Sequence, residues 1–136
     1  MALTLATAAM ILGACGYGDC SCARGPVAPT PKLAEGFDVL VTERDQDVTV
    51  HAGQRIEIHL RQRTGMTMWS NVRSDDEAVL APIPTGLLAP RGVTLAAFEA
   101  VTAGTASITA TAGAACSPGQ ACPMYAVLFS VRVTVV

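Results

Sequence analysis

The clearest strand signal in the chain lies at residues 127–136, VLFSVRVTVV. One set of alternate positions is wholly apolar: Val127, Phe129, Val131, Val133 and Val135. The other set contains every polar residue of the run: Leu128, Ser130, Arg132, Thr134 and Val136. Successive side chains of a β-strand point to opposite faces, so the pattern predicts a strand with one buried face. The same alternation recurs at residues 55–61, where Ile56, Ile58 and Leu60 lie between polar residues.

Shorter runs of the same kind fill much of the chain between and before these two segments. They cover residues 37–42, 48–50, 69–73, 78–83, 94–101 and 105–111. Roughly seven or eight short strands, spaced about ten residues apart with turn residues between them, are typical of a β-sandwich. The sequence therefore predicts an all-β, antiparallel immunoglobulin-like β-sandwich of about 7–8 strands over residues 37–136.

Composition limits the classes of function. The chain has 136 residues, of which 51% are hydrophobic and 15% charged, which suits one folded domain. Aromatic residues make up only 4%, so we expect a thin core of small and β-branched side chains. The formal net charge is −2, and the sequence holds no basic stripe of the kind that binds a phosphate backbone. Nucleic acid is therefore not the expected partner.

The N-terminal segment has the pattern of a targeting signal. Residues 3–12 are apolar apart from two Thr, and Gly13 and Ala14 directly precede Cys15. This pattern resembles a bacterial lipoprotein signal peptide, although no Lys or Arg precedes the apolar run. The resemblance implies a signal peptide at 1–14, lipidation of Cys15, and a cell-envelope protein on the extracytoplasmic side, lipid-anchored to the cytoplasmic membrane. A buried N-terminal helix is the alternative.

The next segment, residues 15–36, is rich in Gly, Pro and Ala and shows no hydrophobic period. We interpret it as a flexible tether of about 25 Å. Outside the cytoplasm disulfides persist, and Cys116 and Cys122 enclose a Pro-Gly turn signal. The sequence predicts a disulfide between them, worth about 2 kcal/mol in the chain-entropy model. Cys20 and Cys22 are compatible with a disulfide, with free thiols and with metal binding, and the sequence does not decide among these three states.

Catalytic and metal-binding motifs are weak. The only imidazoles are His51 and His59, no nucleophile motif accompanies them, and both are expected to face solvent. The acidic run at 75–77 reads as a solvated turn rather than a calcium site. We therefore predict no enzymatic activity, no metal and no cofactor. A third-choice reading is a copper-binding envelope lipoprotein, with sulfur ligands from Met66, Met68, Met124 and the Cys-Ser-Cys at 20–22.

The predicted order of strands places three long loops at one end of the sandwich. If consecutive strands run antiparallel, the connections 61–68, 84–92 and 113–123 lie at one end of the sandwich. They are also the longest connections, and such folds place recognition on loops at a sandwich end. A protein partner is therefore expected at these three loops.

The first of these loops, Arg63-Thr64-Gly65-Met66-Thr67-Met68-Trp69, resembles the first binding loop of chagasin-type inhibitors of papain-like cysteine peptidases. Thr64, Gly65 and Trp69 match that motif, although a core position for Trp69 would also explain its presence. In the second loop, Gly86 and Gly92 flank residues 87–91, as in the family's Gly-rich loop. The family's third motif, Arg-Pro-Trp, is replaced by the cysteine-bridged loop.

The resemblance implies that the protein inhibits a cysteine peptidase through these loops. The partner-contacting residues it implies are Thr64, Gly65, Met66, Leu87, Leu88, Pro118 and Gly119. The alternative is a non-inhibitory Ig-like lipoprotein that serves surface interaction or envelope assembly, using the same loops or an exposed sheet edge. The sequence makes no prediction of the oligomeric state.

Overall fold

A computed structural model describes residues 29–136, and every regular element in this part of the chain is a β-strand. Residues 29–136 form eight strands: β1 Val39–Thr42, β2 Asp47–Val50, β3 Arg55–Arg61, β4 Ser70–Ser74, β5 Leu80–Ile83, β6 Val93–Ala100, β7 Gly104–Gly113 and β8 Ala126–Val135. Each coincides with a predicted run to within a few residues. Residues 29–136 contain no helix that is long and apolar enough to cross a membrane.

The strands form two four-stranded sheets, β1-β3-β6-β5 and β2-β8-β7-β4, which pack face to face. The predicted immunoglobulin-like sandwich is confirmed. Its pairing is not purely antiparallel, however, because β1 runs parallel to β3 and β2 runs parallel to β8. The reason is the tight connection at residues 43–46, where the N–H of Asp45 donates to the carbonyl of Thr42 at 3.1 Å. It sends β1 and β2 to opposite sheets, so each pairs with a strand that is not its neighbour in sequence.

The core lies between the two inner faces and contains the residues that the alternation selected. In β3, Ile56, Ile58 and Leu60 are fully buried, and in β8 the buried side chains include Val131 and Val133. Small residues dominate the inner face of β7, with Ala106, Ala110 and Ala112 around Ile108. The predicted thin core of small and β-branched side chains is therefore confirmed. Pro82 lies in β5 at a sheet edge, where a missing backbone donor is tolerated.

Trp69 fixes the start of β4. Its side chain is 4% exposed, its Nε1–H donates to the carbonyl of Arg61 at 2.8 Å, and its ring meets the ring of Phe129 edge to face at 6.2 Å. A buried indole with its N–H satisfied is a stable core anchor. Because Arg61 ends β3, this hydrogen bond also closes the base of the loop between β3 and β4.

Residues 29–34 belong to the predicted tether, yet they contact the outer face of the first sheet. The backbone N–H of Ala34 donates to Oε2 of Glu57 at 3.0 Å, and the guanidinium of Arg61 donates to the carbonyl of Pro29. Glu57 is only 3% exposed as a result. The prediction that β3 is buried on one side was therefore wrong at Glu57, because this segment covers it. The predicted signal peptide and most of the tether lie outside the described residues.

Candidate functional site: three loops at one end of the sandwich

The structure brings together the three loops that the sequence selected. They connect β3 to β4 (first loop, residues 62–69), β5 to β6 (second loop, 84–92) and β7 to β8 (third loop, 114–125). Consecutive strands alternate in direction, so these connections all leave the sandwich at the same end. We refer to the surface formed by residues 62–69, 84–92 and 114–125 as the loop end.

The first loop lies between the other two and is hydrogen-bonded to both. On one side, the N–H of Gln62 donates to the carbonyl of Gly92 at 2.8 Å. On the other, Thr67 N–H donates to Gly113 O and Ala115 N–H donates to Gly65 O, both at 2.9 Å. These bonds join backbone to backbone, so the relative positions of the three loops do not depend on flexible side chains.

Local turn chemistry shapes the tips of the first and third loops. In the first, the N–H of Met66 donates to the carbonyl of Arg63 at 3.0 Å, and Gly65 has a φ of +76°. In the third, Gln120 N–H donates to Ser117 O at 3.2 Å and Gly119 has a φ of +80°. A positive φ at the third position is the requirement of a type II turn, and glycine meets it without strain. Thr64 and Pro118 are consequently presented at exposed second positions.

The second loop ends in a related turn that the sequence analysis missed. The N–H of Val93 donates to the carbonyl of Pro90 at 3.1 Å, and Arg91 is exposed at the second position. The signal was present as Pro90-Arg91-Gly92, a turn sequence. Leu88 is 97% exposed and Leu87 37% exposed, so both lie at the surface.

The prediction that Met66 contacts a partner was wrong for its side chain. Met66 is 5% exposed and belongs to the core cluster, because an isolated bridge to Ala114 turns it inward. Met68, the next methionine of the copper-binding interpretation, lies at the surface instead. Cys20 and Cys22, the other sulfur ligands of that reading, lie outside the described residues.

The predicted disulfide between Cys116 and Cys122 is confirmed, with a Cα–Cα distance of 5.5 Å. It closes the third loop around Pro118 and Gly119, which are both exposed. A short covalent ring restricts the conformations of an exposed loop. The third loop thus holds its tip without a hydrophobic core of its own.

A cavity of about 810 Å³ adjoins the loop end on the outer face of the first sheet. Its walls are residues 29–32, the outward side chains of β3, residues 62–65 and residues 87–92. His59 lies on the outer face of β3, on the solvent side as predicted, and is half-buried where it lines this cavity. His51 lies exposed in the turn between β2 and β3. Among residues 29–136, no three His, Cys, Asp or Glu side chains are grouped to hold a metal ion.

The chain is similar to two solved structures. One is the cysteine protease inhibitor EhICP2 from Entamoeba histolytica, with 17% identity, a TM-score of 0.49, and coverage of 76% of this chain and 100% of that one. The other is amebosin, with 20% identity, a TM-score of 0.49, and coverage of 74% and 100%. No family profile matches the chain. No curated protein matches it either.

Proposed function

We propose that the protein is a chagasin-like inhibitor of papain-like cysteine peptidases and binds them through the loop end. The observation that carries the proposal is the central position of the first loop, which presents the exposed turn at Thr64 and Gly65 and is hydrogen-bonded to the second loop through Gln62 and to the third through Gly65. A projecting turn of this kind fits a groove. Because its backbone is already ordered, binding costs little conformational entropy.

Each loop has a distinct part in this proposal. Thr64 and Gly65 contact the cleft through their backbone, since glycine lets the two chains approach closely. Leu87 and Leu88 occupy a neighbouring apolar subsite. Pro118 and Gly119 contact the opposite rim from the disulfide-closed third loop. The resemblance of residues 63–69 to the chagasin-type loop is the reason for proposing a papain-like cysteine peptidase as the partner.

The test is a titration of papain with the full oxidised chain and two variants. Gly65→Trp places a bulky side chain on the central turn. Gly53→Trp is its matched control. Gly53 also has a positive φ, +89°, and open space where a Cβ would be. It lies in the turn between β2 and β3, at the end of the sandwich opposite the loop end. Equal backbone strain is therefore introduced in both variants.

We expect sub-micromolar inhibition by the unmodified chain, its loss by at least about tenfold in Gly65→Trp, and its retention in Gly53→Trp. Equal losses in both variants would show that strain, not contact, is responsible, and would remove the central turn from the proposal. Absence of inhibition by the unmodified chain at roughly tens of micromolar would overturn the proposed function and favour the non-inhibitory surface module.

We also propose that Cys15 is lipidated and anchors the domain outside the cytoplasmic membrane. The support is the apolar run at residues 3–12 and the small residues Gly13 and Ala14 that precede the cysteine. Mass spectrometry of the mature N-terminus in a bacterial host is expected to show an acylated cysteine that Cys15→Ser abolishes and Cys20→Ser does not. An unacylated chain that still begins at Met1 would contradict the anchor and leave the loop-end proposal untouched.

A further inference from the structure

We propose that the cavity beside the loop end binds an amphiphilic organic anion, a carboxylate or phosphate that carries a short alkyl chain. The inference concerns the outer face of the first sheet, with β3 as its floor, and it does not rest on peptidase inhibition. Four observations carry it: the volume of the cavity, the charge of its lining, the availability of that charge and the chemistry of the remaining walls.

The volume is that of a ligand site. About 810 Å³ lies within the range of roughly 300–1,000 Å³ that small-molecule sites occupy. The cavity is bounded by residues far apart in sequence, since the segment 29–32 closes one side and residues 87–92 close another. Hydrogen bonds hold that segment in place, from Arg61 to Pro29 and from Ala34 to Glu57.

Positive charge is concentrated in this lining. The chain has 9 Lys and Arg residues and 11 Asp and Glu residues, with a net charge of −2. Four of the basic residues line the cavity, namely Lys32, Arg61, Arg63 and Arg91, together with His59. Among the described lining residues, Glu57 is the single acidic one. An acidic protein thus presents a basic concavity, whose walls concentrate the field on an anion.

Two of the four basic side chains in the lining already have partners, because Arg61 donates to the carbonyl of Pro29 and Arg63 lies over the Trp69 ring at 5.6 Å. The carboxylate of Glu57 is buried and accepts the N–H of Ala34, and its single negative charge offsets only one of the four basic side chains in the lining. Within residues 29–136, Lys32 and Arg91 form no side-chain hydrogen bond and no ion pair, and the only salt bridge in that range joins Arg132 to Asp47. An ionised ligand would supply the charge-assisted partners that these groups lack.

The uncharged part of the lining is mainly aliphatic, beside the polar side chains of Thr30, Gln62 and Thr64. Leu87, Leu88, Val93 and Leu95 line the cavity together with Pro29, Pro31 and Pro90. No Phe, Tyr or Trp is among the described lining residues, so a purine or other flat ring finds no stacking surface. A ligand with an alkyl chain and an anionic head group matches this lining, because the chain contacts the aliphatic walls and the head group contacts the cations.

The experiment is a titration of the ¹⁵N-labelled full oxidised chain with octanoate and, separately, octyl phosphate, followed by backbone amide NMR. Octanol and octyltrimethylammonium are matched probes with the same chain and no negative charge. We expect both anions to shift the amides of His59, Arg61 and Gly92, and the neutral and cationic probes to bind roughly tenfold more weakly or not at all. The relative affinity of the two anions identifies the head group that the site prefers.

Two charge reversals test the residues. Arg91→Glu changes an exposed cavity cation, and Arg73→Glu changes an exposed cation of β4 on the other sheet, with the same effect on net charge. We expect the first to weaken anion binding by roughly tenfold and the second to leave it within about twofold. Equal losses in both variants, equal binding of octanol, or amide shifts confined to residues outside the cavity walls would overturn the proposal.

Discussion

The backbone N–H of Ala115 donates to the carbonyl oxygen of Gly65 at 2.9 Å. This bond joins the third loop to the exposed turn of the first, across 50 residues of sequence. A change in the order of the third loop is therefore transmitted to the turn that we place in the peptidase cleft. The first prediction follows from this bond.

Removal of the disulfide, in Cys116→Ser combined with Cys122→Ser, should lower the free energy of unfolding by about 2 kcal/mol, because the unfolded chain gains conformational entropy when the cross-link is absent. The same variant should inhibit papain several-fold less tightly. Urea unfolding and the papain titration measure the two effects. Ser117→Ala is the control, since it keeps the ring intact. An unchanged inhibition constant in the disulfide-free variant would mean that the third loop does not contribute to the contact.

Replacement of Gly65 by Ala should cost about 1–2 kcal/mol of stability, because a Cβ disfavours a φ of +76°. A Cβ at residue 65 would have no heavy atom within 4 Å, so no steric clash adds to this cost. Gly104→Ala should cost more, since its Cβ would lie 3.1 Å from Cγ2 of Val79. Thermal unfolding of the two variants gives the comparison. A smaller loss for Gly104 than for Gly65 would contradict this ranking of strain and crowding.

Trp69→Phe should lower the free energy of unfolding by about 1–3 kcal/mol, because it leaves the carbonyl of Arg61 without its donor and shrinks the ring that meets Phe129. Tyr125→Phe removes a polar group from an aromatic side chain at an exposed position and should have an effect within about 0.5 kcal/mol. Chemical denaturation of both variants tests the difference. Similar values for the two would show that the indole hydrogen bond contributes little.

Glu57→Ala should release residues 29–34 from the first sheet. The carboxylate accepts the N–H of Ala34 in a buried setting, and loss of such an acceptor costs roughly 1–3 kcal/mol. Hydrogen exchange at Ala34 should then accelerate by at least about tenfold, while exchange in β7 stays unchanged. Glu35→Ala, at an exposed neighbouring position, is the control. Slow exchange at Ala34 in the Glu57 variant would show that other contacts hold the segment.

Much of the fold was predictable because strand alternation is a local property. The alternation in residues 127–136 and 55–61 placed β8 and β3 and selected Val131, Val133, Ile56 and Ile58 for the core, where the structure buries them. Alternating directions then placed the three loops at one end. The Pro118-Gly119 turn and the disulfide around it were equally local, since their residues lie within a few positions of one another.

Tertiary structure alone decided the features that depend on residues distant in sequence. The parallel pairing of β1 with β3, the burial of Glu57 beneath residues 29–34 and the inward side chain of Met66 each need a partner that local patterns do not identify. The basic cavity has the same origin, because Lys32, Arg61 and Arg91 come from three separate segments. Side-chain period and glycine conformation specify which residues form strands and turns, whereas long-range packing specifies which surfaces those elements bring together.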